Sequence, residues 1–164
     1  MFSTRPVGPE FLQTAPQRLS FAGTLHAPPK AVFEAIAHDV VSLPHWYGAV
    51  VAAEYGGGPG SEPPGVGTKR RVKLVGGVAF HEEVIIWDDP TRYGYRIERT
   101  TVPGIRAMAE EWAVVETPTG TRVVWTVAVD AARPMAMAFR SMAPGIGAAT
   151  RRALGRLDRR LGAG

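Results

Sequence analysis

The sequence predicts an α+β domain in which a curved antiparallel sheet of about seven strands wraps around a long C-terminal helix. Three features carry the prediction. Segments with two-residue alternation follow one another from residue 50 to residue 130 with only short turns between most of them. Such a meander cannot make the parallel sheet of an α/β fold. Two short helical segments separate it from one earlier strand. After it, apolar residues recur at three- and four-residue steps to the end of the chain, which marks one amphipathic helix. The apolar sheet face and the apolar helical stripe must bury each other, and a curved sheet closing over a helix leaves an interior gap.

Residues 1–16 carry three prolines and no periodicity, so they are predicted to form a loose N-terminal arm before a single domain over 17–164. Leu19, Phe21, Gly23 and Leu25 alternate with polar or small residues as a half-buried strand. Pro29 suits the first turn of a helix in which Val32, Phe33, Ile36 and Ala37 share a face, closing near His38-Asp39. A second short helix runs from Ser42, its predicted N-cap, to Trp46. The predicted strands are then Val50–Tyr55, Lys69–Val75, Val78–Trp87, Arg92–Thr100, Ile105–Thr117 and Thr121–Asp130. A glycine- and proline-rich loop over Gly56–Gly67 is long enough to be mobile. Elsewhere the joints are turn sequences: Gly76-Gly77, Asp88–Thr91, Pro103-Gly104 and Pro118–Gly120. Arg133-Pro134 opens the terminal helix, whose stripe is Met135, Phe139, Met142, Ile146, Ala149, Ala153, Leu157 and Leu161. Pro144-Gly145 is predicted to kink or split it.

At 164 residues the chain is the size of one ordinary domain. It has no cysteine and four histidines, none paired at ligand spacing, so disulfides and thiol catalysis are excluded and no metal is expected. Glycine-rich phosphate loops and Gly-x-Ser-x-Gly elbows are missing too: Gly56-Gly57-Gly58 lacks the lysine and the helix that should follow. Neither a signal peptide nor a run of about 20 apolar residues is present, which predicts a cytoplasmic protein. The net charge is +4. Its one cluster is Arg151, Arg152, Arg156, Arg159 and Arg160, in the last turns of the terminal helix where cations suit the helix dipole.

Several segments in order resemble a known superfamily: Thr24–Phe33 (TLHAPPKAVF), Asp39–Trp46 (DVVSLPHW), Gly65–Arg70 (GVGTKR), Glu82–Pro90 (EEVIIWDDP) with Tyr95 beyond, and Gly120–Trp125 (GTRVVW). Together they resemble the START-like superfamily, in its polyketide cyclase/dehydrase and lipid transport branch, over residues 17–162. The resemblance implies a helix-grip fold and an internal cavity for a hydrophobic small molecule. It also implies either carriage of that molecule or a cyclase/dehydratase-like reaction needing no cofactor, and a place for Trp46 beside the cavity mouth.

Alternation names the inward residues. Tyr93, Tyr95 and Ile97 share one face of their strand, and Val123, Trp125, Val127 and Val129 share one face of theirs, with Trp112 near Trp125 across the hairpin. Either packed core or cavity lining explains these aromatics. Small inward residues on the terminal helix, Gly145, Ala149 and Ala153, leave room for a ligand or permit close packing; Met135, Phe139, Met142 and Ile146 would line the space.

Lys69, Arg71 and Lys73 must be solvated, which turns Arg70 and Val72 inward. A two-residue turn at Gly76-Gly77 pairs Arg70 with Glu83 and Val72 with His81. Arg70, His81 and Glu83 are then the candidate polar and catalytic groups, able to orient a carbonyl or phenol and exchange protons with it. A four-residue turn at Asp88–Thr91 argues for Glu82 instead, and both registers hold only with a bulge. The reading followed is Glu83. One of Glu110 and Glu111 must likewise point inward. The contrasting reading of all these charges is structural ion pairing at the sheet rim.

The leading functional expectation is a hydrophobic small-molecule ligand in an internal cavity, with no cofactor. The alternative is an interaction module whose basic face, Arg152, Arg156 and Arg159, docks on an anionic membrane or an acidic partner protein. Nucleic acid is not expected, because the arginines lack interleaved aromatics.

Overall fold

A computed structural model describes residues 1–57 and 62–162. Its strands are β1 (Phe2–Ser3), β2 (Gln17–Leu25), β3 (Val50–Tyr55), β4 (Lys69–Leu74), β5 (Ala79–Asp88), β6 (Arg92–Thr100), β7 (Ile105–Thr117) and β8 (Gly120–Ala131). The helices are α1 (Phe11–Thr14), α2 (Pro29–Phe33), α3 (Leu43–Trp46) and α4 (Arg133–Gly162). A π-helical turn over Glu34–His38 and a 3-10 turn over Val40–Ser42 join α2 to α3.

The meander β3–β8 and the earlier strand β2 form an antiparallel sheet in the order β2-β8-β7-β6-β5-β4-β3, so that β2 closes onto the last strand, β8. α4 lies chiefly along β2, and its middle turns meet the loop before β3 through Tyr47. Gly23 makes the helix–strand approach close: a Cβ there would stand 2.6 Å from Leu154 Cδ1. The predicted split at Pro144 does not occur, and α4 continues through it as one helix. Ser42 stands at the start of α3 without capping it, because its hydroxyl donates to the Asp39 carbonyl at 2.9 Å. The Gly56–Gly67 loop, predicted to be mobile, falls partly outside the described residues; its end is tied by Gly67 N–H donating to Val84 O at 2.8 Å.

Residues 1–16 are not a loose arm. β1 pairs with Thr100 and Arg99, the end of β6 that β7 leaves free. Val7, Phe11 and Leu12 then bury themselves on the outer sheet face against Ile86, Ala107, Ala109 and Ala128. Three alanines there leave a shallow hollow, and covering it removes apolar surface from water on both sides. Arg5 Nη2 completes the strap with an ion pair to Asp130 at 3.3 Å.

The β4–β5 hairpin corrects the predicted register. Its loop has three residues, Val75–Gly77, with Gly76 at φ 78° and Gly77 at φ 80°. That left-handed backbone favours glycine. Arg70 therefore faces Glu82, Val72 faces Phe80, and Lys69 faces Glu83. The next loop is also one residue off the prediction: Asp88 pairs with Arg92, leaving three residues between them. An extra residue at Ile85 restores the Val84–Tyr95 pairing, and it lets Ile86 face out while Trp87 faces the core. The bulge resolves the conflict between the two hairpins in favour of Glu82.

Candidate functional site

A cavity of about 240 Å³ lies between the concave sheet face and the helices. Its walls are apolar and aromatic. Trp112 and Trp125 stack across the β7–β8 hairpin with centroids 5.3 Å apart and planes 12° apart. Tyr47 stands edge-on to both, and Trp46, Val72 and Ile36 complete that side. Phe139, Ile146 and Ala149 form the α4 wall. Ala149 remains exposed although it lines the cavity, and Met142 on the same stripe is 49% exposed, so the cavity meets solvent beside this half of the helix.

Its floor is polar. Arg70 (4% exposed) donates from Nε to Glu82 Oε2 (Glu82 is 3% exposed) at 2.5 Å. The Arg70 guanidinium lies 4.0 Å from the Tyr95 ring centre, close enough for a cation–π contact. The Tyr95 hydroxyl donates to Glu110 Oε2 at 2.6 Å, and Trp125 Nε1 donates to the same oxygen at 3.0 Å. Trp112 Nε1 donates in turn to the Tyr95 hydroxyl at 3.3 Å. Glu110 is 7% exposed. The aromatic wall and the acidic floor are thus one hydrogen-bonded unit.

Burial decides the electrostatics. It pushes Glu82 up to about 7, with Arg70 pulling the other way and Glu110 adding to the rise. Burial raises Glu110 as well, against the donors Tyr95 and Trp125 and the charge of Arg70. Tyr47 is pushed up to about 12, also by burial first, so its hydroxyl stays protonated and bonds to Thr150 Oγ1 at 3.0 Å.

Of the residues predicted from sequence, Trp46, Arg70, Val72, Tyr95, Trp112, Trp125, Phe139 and Ile146 line the cavity. Tyr93 does not; it is fully buried behind the floor, its hydroxyl 3.0 Å from that of Tyr55. Glu83 points out of the sheet, where Lys69 and Arg96 hold it at 2.5 and 2.7 Å. His81 is paired with Arg71 on that same outer side, so the Arg70–His81–Glu83 constellation does not exist. Met135 packs half-buried at the core edge, Met142 is exposed, and Gly145 has open space beside it. The β4–β5 register accounts for Glu83 and His81, whereas Met135, Met142 and Gly145 lie on the part of α4 before Gly147, which holds none of the helix's buried residues.

Tyr47 and Thr150 escaped the sequence reading. The signal was there for Thr150, which lies four residues after Ile146 on the inward stripe. Tyr47 follows the predicted second helix, where no periodicity speaks. Of Glu110 and Glu111, the inward one is Glu110; Glu111 accepts from Arg92 Nε at 2.5 Å on the outside. The C-terminal arginines are exposed. No helix among the described residues is long and apolar enough to cross a membrane.

A concave sheet gripping one long helix over an apolar cavity defines a helix-grip domain. Residues 17–162 match the family described as polyketide cyclase / dehydrase and lipid transport, and the chain belongs to that family. An uncharacterized protein of Mycobacterium tuberculosis is 32% identical over 159 residues, covering 97% of this chain and 93% of the relative. A counterpart in Mycobacterium bovis matches to the same extent. Among solved structures, a START superfamily protein from Mycobacterium smegmatis superposes with a TM-score of 0.64 at 12% identity, over 89% of this chain and 97% of that one. A Thermus thermophilus protein does so with a TM-score of 0.68 at 22% identity, over 90% and 98%. At these identities the structures establish the fold.

Proposed function

We propose that the protein binds an apolar small molecule, of lipid, polyketide or other polycyclic or aromatic type, in the cavity and carries it. The observation behind this reading is the cavity itself: aromatic walls that offer area at little entropy cost, above a floor with few polar groups. Filling that space with ligand removes water from a surface that the protein's own side chains leave uncovered. The Arg70–Glu82–Glu110 floor orients the polar end. Family membership supports the reading without naming the molecule.

Native mass spectrometry of protein purified from its own host tests it, followed by denaturation and analysis of what is released. The expected result is one apolar molecule per chain, lost on unfolding. Ligand-free protein that also gains no thermal protection from a panel of lipids, quinones and polyketides would sink the reading.

A second reading is a cofactor-independent cyclase or dehydratase. Two carboxyl groups with raised affinity for protons at the cavity floor favour it, since proton exchange is what such reactions require. It predicts that a polyketide incubated with the protein returns cyclised or lighter by one water.

A further inference from the structure

The floor buries one cation with two carboxyl groups. Arg70 is the only positively charged residue lining the cavity among the described residues, and its Nε is already committed to Glu82. The other groups facing the floor are uncharged: Tyr95 from β6, Trp112 and Trp125 from β7 and β8, and Tyr47 from the loop after α3. β2 and α4 contribute no charge to the lining. With both glutamates ionised the floor would hold a net negative charge with no counterion, which is far costlier than holding one proton.

Resting on the ligand-binding reading above, we propose that Glu82 and Glu110 share one proton, so that the floor selects uncharged apolar molecules ending in a hydroxyl or carbonyl oxygen over ionised carboxylates. Both donors to Glu110 converge on Oε2, so that oxygen is the acceptor and Oε1 carries the proton when Glu110 holds it. Among the described residues Oε1 has no hydrogen-bond partner, and it is not among the side-chain polar atoms sealed off without one, which belong to Gln17, Trp46 and Arg96. It is therefore open to the cavity. A ligand oxygen accepts from it and leaves the charge balance unchanged. An incoming carboxylate reaches the same place only if a second proton enters with it, protonating the remaining glutamate and freeing Arg70 as the counterion. The proton count fits the upward push that burial exerts on both glutamates. The arginine thus looks like an anion anchor and does not act as one.

Isothermal titration of the full chain with matched pairs, 1-decanol against decanoate and 1-dodecanol against dodecanoate, reads this directly. Below the value of about 7 to which burial pushes Glu82, the alcohols should bind with affinity that changes less than about threefold between about pH 5.5 and 6.5 and with no proton exchange between buffers of different ionisation enthalpy. In the same pH window the carboxylates should take up about one proton each, and their affinity should fall about tenfold per pH unit. In E82Q/E110Q, Arg70 loses both counterions, so the preference should reverse to the carboxylate and the uptake should vanish. Should that variant not fold, E110Q keeps the Arg70–Glu82 pair. The infrared band of a protonated carboxyl, present in the wild-type protein at pH 6, should be missing from it. Equal binding of alcohol and carboxylate with no proton uptake overturns the proposal while leaving the cavity reading intact. Absence of the infrared band from the wild-type protein also overturns it. If neither pair binds and the ligand panel fails as well, the cavity reading falls and the proposal with it.

Discussion

Two ion pairs sit one residue apart on the same hairpin and behave as opposites. Arg70–Glu82 lies on the concave face with both partners buried, whereas Lys69–Glu83 lies on the convex face with Lys69 more than half exposed. Their N···O distances are the same, 2.5 Å. Distance therefore says nothing about what each does. On the outer face water screens the charges, and Glu83 also accepts from Arg96, in a network that tolerates the loss of a member. On the inner face burial removes most of the screening by water, so each charge depends on its partner. The strand's two-residue period alone separates the two environments.

The sharpest way to break the comparison is Arg70→Ala. It leaves Glu82 and Glu110 buried with no cation, and should cost about 3–5 kcal/mol of stability, measured by urea unfolding at pH 7. A loss below about 1 kcal/mol would mean that water enters the floor freely and that the inner pair is equivalent to the outer one.

The two glutamates should also respond to pH with opposite signs. Burial holds Glu82 above its usual 4.5, at about 7, so its contribution is complete below pH 4.5 and is lost as the pH rises through 7. The span corresponds to about 3 kcal/mol. On Glu83, slight burial is outweighed by the Lys69 bond and the Arg96 charge, which hold its carboxyl below the usual value. Its contribution is present above 4.5 and lost as the pH falls. Unfolding free energies between pH 3 and 8 should show both limbs. Glu110→Gln should flatten the decline toward high pH, because Glu110 helps to raise Glu82, and Glu83→Gln should flatten only the decline toward low pH. A variant that moves the other limb would show that the assignment of faces is wrong.

Tyr95→Phe is a milder probe of the floor. It removes one of the two donors to Glu110 and the acceptor of Trp112 Nε1, while keeping the ring under the Arg70 guanidinium. The expected loss is about 1–3 kcal/mol, with a red-shifted tryptophan emission if water replaces the hydroxyl.

The faces of β6 and β8 were legible because Tyr93-x-Tyr95-x-Ile97 and Val123-x-Trp125-x-Val127-x-Val129 alternate without interruption between short turns. β5 was not. Glu82-Glu83-Val84-Ile85-Ile86 contains no alternation, and its facing depends on a loop length and a bulge that pairing across the sheet decides. One residue of loop, Val75, exchanged Glu82 for Glu83 and removed His81 from the site. The stripe of α4 was legible as a stripe, but where the helix leaves the sheet depends on tertiary packing, so Met142 could not be told from Ile146. Likewise Val7, Phe11 and Leu12 are too sparse to announce a docked segment. Their partners, the outward alanines of β7 and β8, read as ordinary small residues.

Lys69→Ala should have the smallest effect, and its size carries information. Lys69 Nζ bonds Glu83 and Glu98, and Arg96 Nη2 remains within 2.7 Å of Glu83 when the lysine is gone. No carboxylate is stranded, and both stay near water. Removing the lysine should therefore cost less than about 1 kcal/mol, and that cost should shrink further in salt as screening replaces it. Arg70→Ala, measured in the same salt series, should keep its full penalty, because ions that cannot enter the floor cannot screen it. If the two variants respond to salt alike, the floor is open to solvent ions, and neither a proton shared by the glutamates nor a ligand chosen by charge survives.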